Sequence, residues 1–165
     1  MRTLEEIQSD KGFGEWIERE WPDPKIANLV YNCYLAGIET FWSNEGRIGQ
    51  KLPGYKMHKA PEGFYVFDEG YLAYRVQNET TRRFHDIVLK VIEKNPQFVK
   101  LNPAPTTEKP ETWLFLGFDD IKEKGIDVWE PHREIEVVRQ DLAEKRLAQI
   151  DILWQYLTNE AEKLV

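Results

Sequence analysis

The chain has 165 residues, a formal net charge of −7 and 41% apolar residues, with eight Phe, seven Tyr and six Trp among its side chains. That is the size of one ordinary domain, with enough apolar mass to build a core without disulfides or a metal. Its acidity argues against general nucleic-acid binding, which rests on Lys and Arg neutralising phosphates.

Residues 3–20 read as a short amphipathic opening helix, interrupted near Gly12-Phe13-Gly14 and ending before Trp21-Pro22. Asp23-Pro24 is a helix-start signal, with Asp as N-cap and Pro at the first helical position. Ile26, Val30, Cys33, Gly37 and Phe41 then recur at spacings of three and four, which predicts a buried helix over 24–44 with Gly46 as its terminator. A loop with Pro53-Gly54 and Pro61 follows. The aromatic-rich runs 63–67 and 71–76 flank Asp68-Glu69-Gly70 and read as a β-hairpin.

Thr80-Thr81 can cap a helix over 82–94, with Phe84, Ile87, Val88 and Val91 inward and Asn95-Pro96 as its stop. Pro103-Ala104-Pro105 begins a connector, and residues 111–118 read as a further, central strand. Residues 119–125 read as a helical turn stopped by Gly125. From Glu130 to Val165 there is no Gly, and Ile135, Val138, Leu142, Ile150, Leu153, Leu157, Ala161 and Leu164 form a stripe with Arg146 at the missing step. A single helix of that length would span roughly 50 Å and protrude from a domain of this size, unless it kinks near 143–149 or meets a partner. The expected fold is one α+β domain over 1–165: a small antiparallel sheet, built of the hairpin and further strands, packed on helices with a long C-terminal helix.

No apolar run approaches the ~20 residues of a membrane span, and the first residues lack a signal-peptide pattern. Cys33 is the only cysteine and cannot pair within the chain, so a cytoplasmic location is expected. Charge is uneven: residues 1–43 carry four basic and eight acidic side chains, 44–100 ten and seven, and 101–165 eight and fourteen.

Strong catalytic spacings are absent. There is no phosphate-cradling Gly-rich loop ending in Lys-Ser or Lys-Thr and no paired-Cys zinc pattern. Cys33 sits on an apolar stripe, where packing is favoured over a reactive thiol. His58 is expected to be solvated, and His85 to lie at a helix start beside Asp86. His132 and Glu136, one turn apart on the expected last helix, are the nearest approach to a metal corner, with Asp119 or Asp120 as further donors. Helix-start electrostatics explains them as well, so no metal and no cofactor is expected. Trp154 and Tyr156 lie two residues apart on the last helix and cannot both point inward, so one of them is an exposed apolar anchor.

Tyr71-Leu72-Ala73-Tyr74-Arg75 closing the hairpin, the helix start Thr80-Thr81-Arg82-Arg83, and a last helix with Arg139-Gln140-Asp141 and Lys145-Arg146 follow one another in order. This arrangement is similar to immunity proteins of bacterial polymorphic-toxin systems, over residues 60–95 and 130–162. The resemblance implies a small acidic cytoplasmic α+β protein that binds and blocks a cognate toxin. The family's charged motif in the last helix is out of register here, and its acid-Arg-Gly hairpin element appears only as Asp68-Glu69-Gly70, so no binding residue is carried over.

The sequence therefore leans away from an enzyme and toward a protein-binding inhibitor, immunity-type or a phage-encoded anti-defence factor. Its partner would be a toxin or nucleic-acid-processing effector with a basic surface, steered by acidic charge. The expected contact is the outward side of the last helix: Glu134, Asp141, Glu144 and Asp151, with Trp154 or Tyr156 as anchor. No direct nucleic-acid or membrane contact is expected. Two alternatives stand beside this reading: a small metal- or His/carboxylate-dependent enzyme, and a structural subunit that forms a homodimer through the C-terminal helix.

Overall fold

The computed structural model describes residues 1–17, 21–53, 58–103 and 111–165. The protein is α+β: two antiparallel four-stranded sheets packed with five helices, the longest at the C-terminus.

The opening segment forms two short helices, α1 (Leu4–Gln8) and α2 (Lys11–Trp16). The break falls at Ser9-Asp10, not at Gly12–Gly14. Asp10 is the reason: its carboxylate caps α2 by accepting from the Phe13 amide and also accepts from Tyr31 Oη. The end of the expected helix, 18–20, lies outside the described residues.

Helix α3 (Pro24–Leu35) is shorter than the spacing predicts. Gly37 is not on its apolar face but just past its end, at φ +77°. The Ile38 amide donates back to Cys33 O and the Gly37 amide to Tyr34 O, a left-handed termination that glycine tolerates without a Cβ clash. The buried Ile38 seals this end. Asp23 makes no side-chain cap to α3; its carboxylate accepts instead from the Glu45 amide and the Arg47 guanidinium.

Strands β1 (Thr40–Asn44) and β2 (Arg47–Gly49) follow, then β3 (Phe64–Asp68) and β4 (Gly70–Tyr74). The expected hairpin between β3 and β4 does not form. β4 pairs with β1 and β3 with β2, and Asn44↔Tyr71 and Arg47↔Asp68 keep one register across both pairings. These four strands are a single long ribbon, bent where Gly46 faces Glu69 and Gly70. Gly46 has φ +85°, and a Cβ there would stand 3.3 Å from the Gly70 amide nitrogen. Two glycines let the ribbon fold sharply, and each half joins a different sheet.

The first sheet has the order β1-β4-β6-β5, with β5 (Val99–Pro103) and β6 (Thr112–Leu116). β6 is an interior strand, as expected. β5 was not foreseen, and the connector 104–110 lies outside the described residues. Helix α4 (Glu79–Lys94) begins earlier than predicted because Asn78, not Thr80, caps it, in a reciprocal box with Thr81. Phe84, Val88 and Val91 are buried and Ile87 packs against the core, as its 3.6-residue period requires.

The second sheet has the order β2-β3-β8-β7, with β7 (Glu123–Ile126) and β8 (Glu134–Arg139). Here two expectations fail. Residues 119–121 do turn, through Ile121 and Lys122 amides donating to Phe118 O. Gly125, however, lies inside β7, where an added Cβ would stand 2.8 Å from Val137 Cγ2. The single helix from Glu130 is a turn, then β8, then α5 (Gln140–Glu162). At 1.5 Å per residue α5 is about 35 Å long, and it lies along the domain against α3, α4 and the second sheet.

Alternation along β3 and β8 gives the second sheet two buried faces. Phe67 and Val138 enter the main core with α3, α4 and α5, while Val66, Ile135 and Val137 form a smaller core with Leu52 and Ala60. No helix among the described residues is long and apolar enough to cross a membrane.

Candidate functional site

A group of charged side chains sits beside the ribbon bend. Glu69 is the one residue between β3 and β4, and its carboxyl lies over Gly117, where a Cβ would stand 3.0 Å from Oε1. Glu69 hydrogen-bonds Asp119, from the turn after β6. Lys122 Nζ lies 3.2 Å and Lys100 Nζ 3.6 Å from Asp119, and Lys122 also reaches Glu136 at 3.0 Å. Asp120 accepts both guanidinium nitrogens of Arg146 at 2.6 and 2.8 Å, and Arg146 Nη1 also donates to Gly117 O at 2.8 Å.

The pKa values of the paired carboxyls are shifted in opposite directions. Burial and the neighbouring Asp119 raise the Glu69 pKa. At Asp119 burial opposes the charge, but the Lys122 ammonium, Glu69 and Lys100 outweigh it, so its pKa lies below the usual range. The pair thus holds a proton on Glu69 more readily than on Asp119, and titrates as a unit. The cavity they line with Lys100 is small, about 80 Å3.

This pair makes a pH prediction. A raised Glu69 pKa favours the fold below the unfolded value, about 4.3, and that contribution is lost as pH rises through the folded value. Glu69→Gln keeps a donor to Asp119 and removes the like charge. The variant is expected to be more stable than wild type to urea at pH 7, with the difference vanishing below about pH 4. Equal stability at pH 7 would contradict a raised Glu69 pKa in the folded protein.

Two of the histidines bond to neighbouring side chains, and the cysteine is buried. Cys33 is fully buried, and burial pushes its thiol well above the usual range. His85 Nδ1 is 2.7 Å from the buried Tyr74 Oη. His58 is not free in solvent: Nδ1 lies 3.1 Å from Asp127 Oδ2. His132 is exposed in the turn before β8, and Glu136 is on β8 bonded to Lys122. The helical turn that was to bring these two together does not exist, and no group of three or more metal-ligating side chains converges among the described residues.

A cleft of about 370 Å3 lies between α2 and β1, lined by Trp16, Phe41, Trp42, Glu39 and Arg75. Arg75 stacks on Phe41 at 4.0 Å and pairs with Glu39 and Glu111. Its charge is committed to the wall of the cleft.

The six residues expected at a partner contact do not share one surface. Trp154 is 1% exposed, donates from Nε1 to Glu45 O at 2.9 Å and packs on Gly70 at the ribbon bend. It is a core residue, and the exposed member of the pair is Tyr156, one turn from the exposed Ile152. Asp151 binds Lys25 of α3 at 3.0 Å, and Glu144 accepts from Tyr65 Oη on β3. Asp141 lies beside Arg139 at the start of α5. Glu134 is on β8, opposite Ile126 of β7.

Glu134 stands next to a surface that sequence reasoning missed. Ile126 at the end of β7, and Val128 and Trp129 in the loop to β8, are 51%, 45% and 50% exposed, while Asp127 between them is fully buried. The Asp127 carboxylate accepts from the amides of Lys59 and Trp129 and meets His58, and the Val128 amide donates to Lys59 O. The Lys59 amide, then His58 and Trp129, hold the Asp127 pKa below the usual range. One buried carboxylate thus ties the Trp129 backbone to Lys59, beside three outward apolar side chains. Asp127 between Ile126 and Val128-Trp129 was the available signal: a lone acid in an apolar run, at a hairpin tip.

Comparison with protein-family models, with characterised proteins and with solved structures gives no match to this chain.

Proposed function

We propose that this protein works by binding another protein and blocking it, as an immunity-type or phage-encoded anti-defence inhibitor, with the tip of the β7–β8 hairpin as its contact. The observation that carries this reading is the set of exposed Ile126, Val128 and Trp129 around buried Asp127, whose carboxylate ties the Trp129 amide to that of Lys59. Exposed apolar side chains cost nothing to desolvate, and a tip already ordered loses little entropy on docking. Trp is also the residue type most often found as an energetic centre of interfaces. Glu130 and Glu134 beside the tip are paired with Arg133 and Lys124, so it is the net charge of −7 over the whole chain that favours a partner with a basic surface, such as a nuclease or the nucleic-acid groove of an effector.

The test is quantitative capture from host lysate with tagged wild type and with Trp129→Ala. The wild type is expected to saturate with a basic protein in a fixed ratio, and Trp129→Ala to weaken that binding by about 30-fold or more. Higher salt should slow association. Failure to recover a saturable partner, or equal capture by the variant, would overturn the reading. A toxin frame or phage genes beside this gene separates the immunity role from the anti-defence role.

A further inference from the structure

The outward face of α5 carries a pattern that neither the core nor the hairpin tip uses. Ile152, 68% exposed, is at its centre. Residues 148, 145 and 141 lie four, seven and eleven positions before it, and 156, 159 and 163 the same distances after it. At 100° per residue all seven fall within about 40° of one line, and all are exposed. Their mean spacing, about 3.67, is that of an 11-residue repeat, which a second helix can follow with a slight right-handed supercoil.

We infer that this stripe is a self-association seam on which α5 of a second copy lies antiparallel, with the twofold axis at Ile152. Under that symmetry Ile152 meets Ile152 of the second copy. Ala148 lies opposite Tyr156, a small side chain against a large one, and this happens twice. Lys145 faces Asn159, and Asp141 faces Lys163, so opposite charges meet at both ends of the stripe, while Glu144 and Glu160 of the two copies are opposed at its flanks, where solvent screens them. The Asp141–Lys163 match, made twice, points to a copy of the same chain as occupant, because an isologous interface must complement itself. Antiparallel α5 helices also oppose their dipoles favourably. Each half of the stripe makes only local bonds within its own chain: Asp141 with Arg139, Asn159 with Gln155, and Lys163 with Glu160. None of these blocks the pairing.

The experiment is sedimentation velocity on the full chain over a concentration series, with thiol cross-linking beside it. Wild type is expected to pass from 19.5 kDa to twice that mass as concentration rises. Ile152→Asp should raise the dimer dissociation constant about tenfold or more. Asp141→Lys should weaken the dimer, and Asp141→Lys with Lys163→Asp should restore it. Under mild oxidation Ile152→Cys should cross-link to a covalent dimer, while Leu89→Cys, also exposed on α4, should not; the native Cys33 is buried and silent. A wild type that stays monomeric to about 100 µM, at which self-association of this kind is populated by mass action, would overturn the inference. So would a dimer indifferent to Ile152→Asp, or a charge swap that fails to rescue. The hairpin tip is a separate surface: Trp129→Ala should leave the dimer intact, and Ile152→Asp should leave partner capture intact, so either reading can fail alone.

Discussion

Arg146→Met is expected to lower the free energy of unfolding by about 3 kcal/mol, the low end of the cost of breaking a buried ion pair from one side. The side chain of Arg146 is 9% exposed and that of Asp120 29%. Arg146 stacks on Phe98 at 4.2 Å and gives bonds to Asp120, Gly117 O and Gln149. Methionine fills much of the same volume, so the loss comes from polar groups left behind. Gly117 O loses its donor, and the Asp120 carboxylate keeps only the water that reaches it, which is why the low end applies. The Arg146 hydrogen bond also holds the Asp120 pKa below its usual range. A lowered carboxylate contributes stability above its unfolded value, near 3.9, that is lost as pH falls through the folded one. Urea titrations from pH 3 to 7 should therefore show a shallower acid limb in the variant. A loss well under 1 kcal/mol at pH 7 would mean that this pair behaves as a surface contact.

Trp154→Ala is expected to cost more, about 3–5 kcal/mol. Trp154 is the largest fully buried side chain and covers the ribbon bend. Its Cζ2 would be 3.0 Å from a Cβ placed on Gly70, so helix and ribbon meet with no room for one more methyl group. Trp154→Phe keeps most of the ring but strands Glu45 O, and should cost about 1–2 kcal/mol more than its lost volume alone. Gly70→Ala is expected to destabilise by about 1–3 kcal/mol in wild type through overpacking, and by much less in the Trp154→Ala background. Denaturant unfolding of the four chains in that cycle measures the coupling. Additive costs would show that Gly70 and Trp154 do not share the bend.

The two large effects trace to residues whose partners are far along the chain. Asp120 and Arg146 are 26 positions apart, and Glu45 and Trp154 are 109 apart. Arg146 was visible as a gap in an apolar stripe, but a gap names no partner. Trp154 and Tyr156 posed an either-or question that the pattern could not decide, because Leu153 and Leu157 tolerate a helix turned either way. The Glu69–Asp119 pair was invisible for the same reason: each acid alone is a common turn residue.

The sequence by itself determined what depends on short range. The α+β class, the α4 helix with Phe84, Val88 and Val91 inward, the interior β6 strand and the burial of Cys33 all follow from local period and apolar content. Tertiary structure decided where local codes are degenerate. Glu134–Arg139 has both a helical spacing and a β-branched alternation, and only pairing with β3 and β7 selects the strand. Gly37 fits an apolar helical face or a left-handed stop, and burial of Ile38 selects the stop. The runs around Glu69 suit a hairpin, yet both pair better with the ribbon already laid by β1 and β2. Backbone hydrogen bonds must all be satisfied at once, and that condition is global, so no window of sequence contains it.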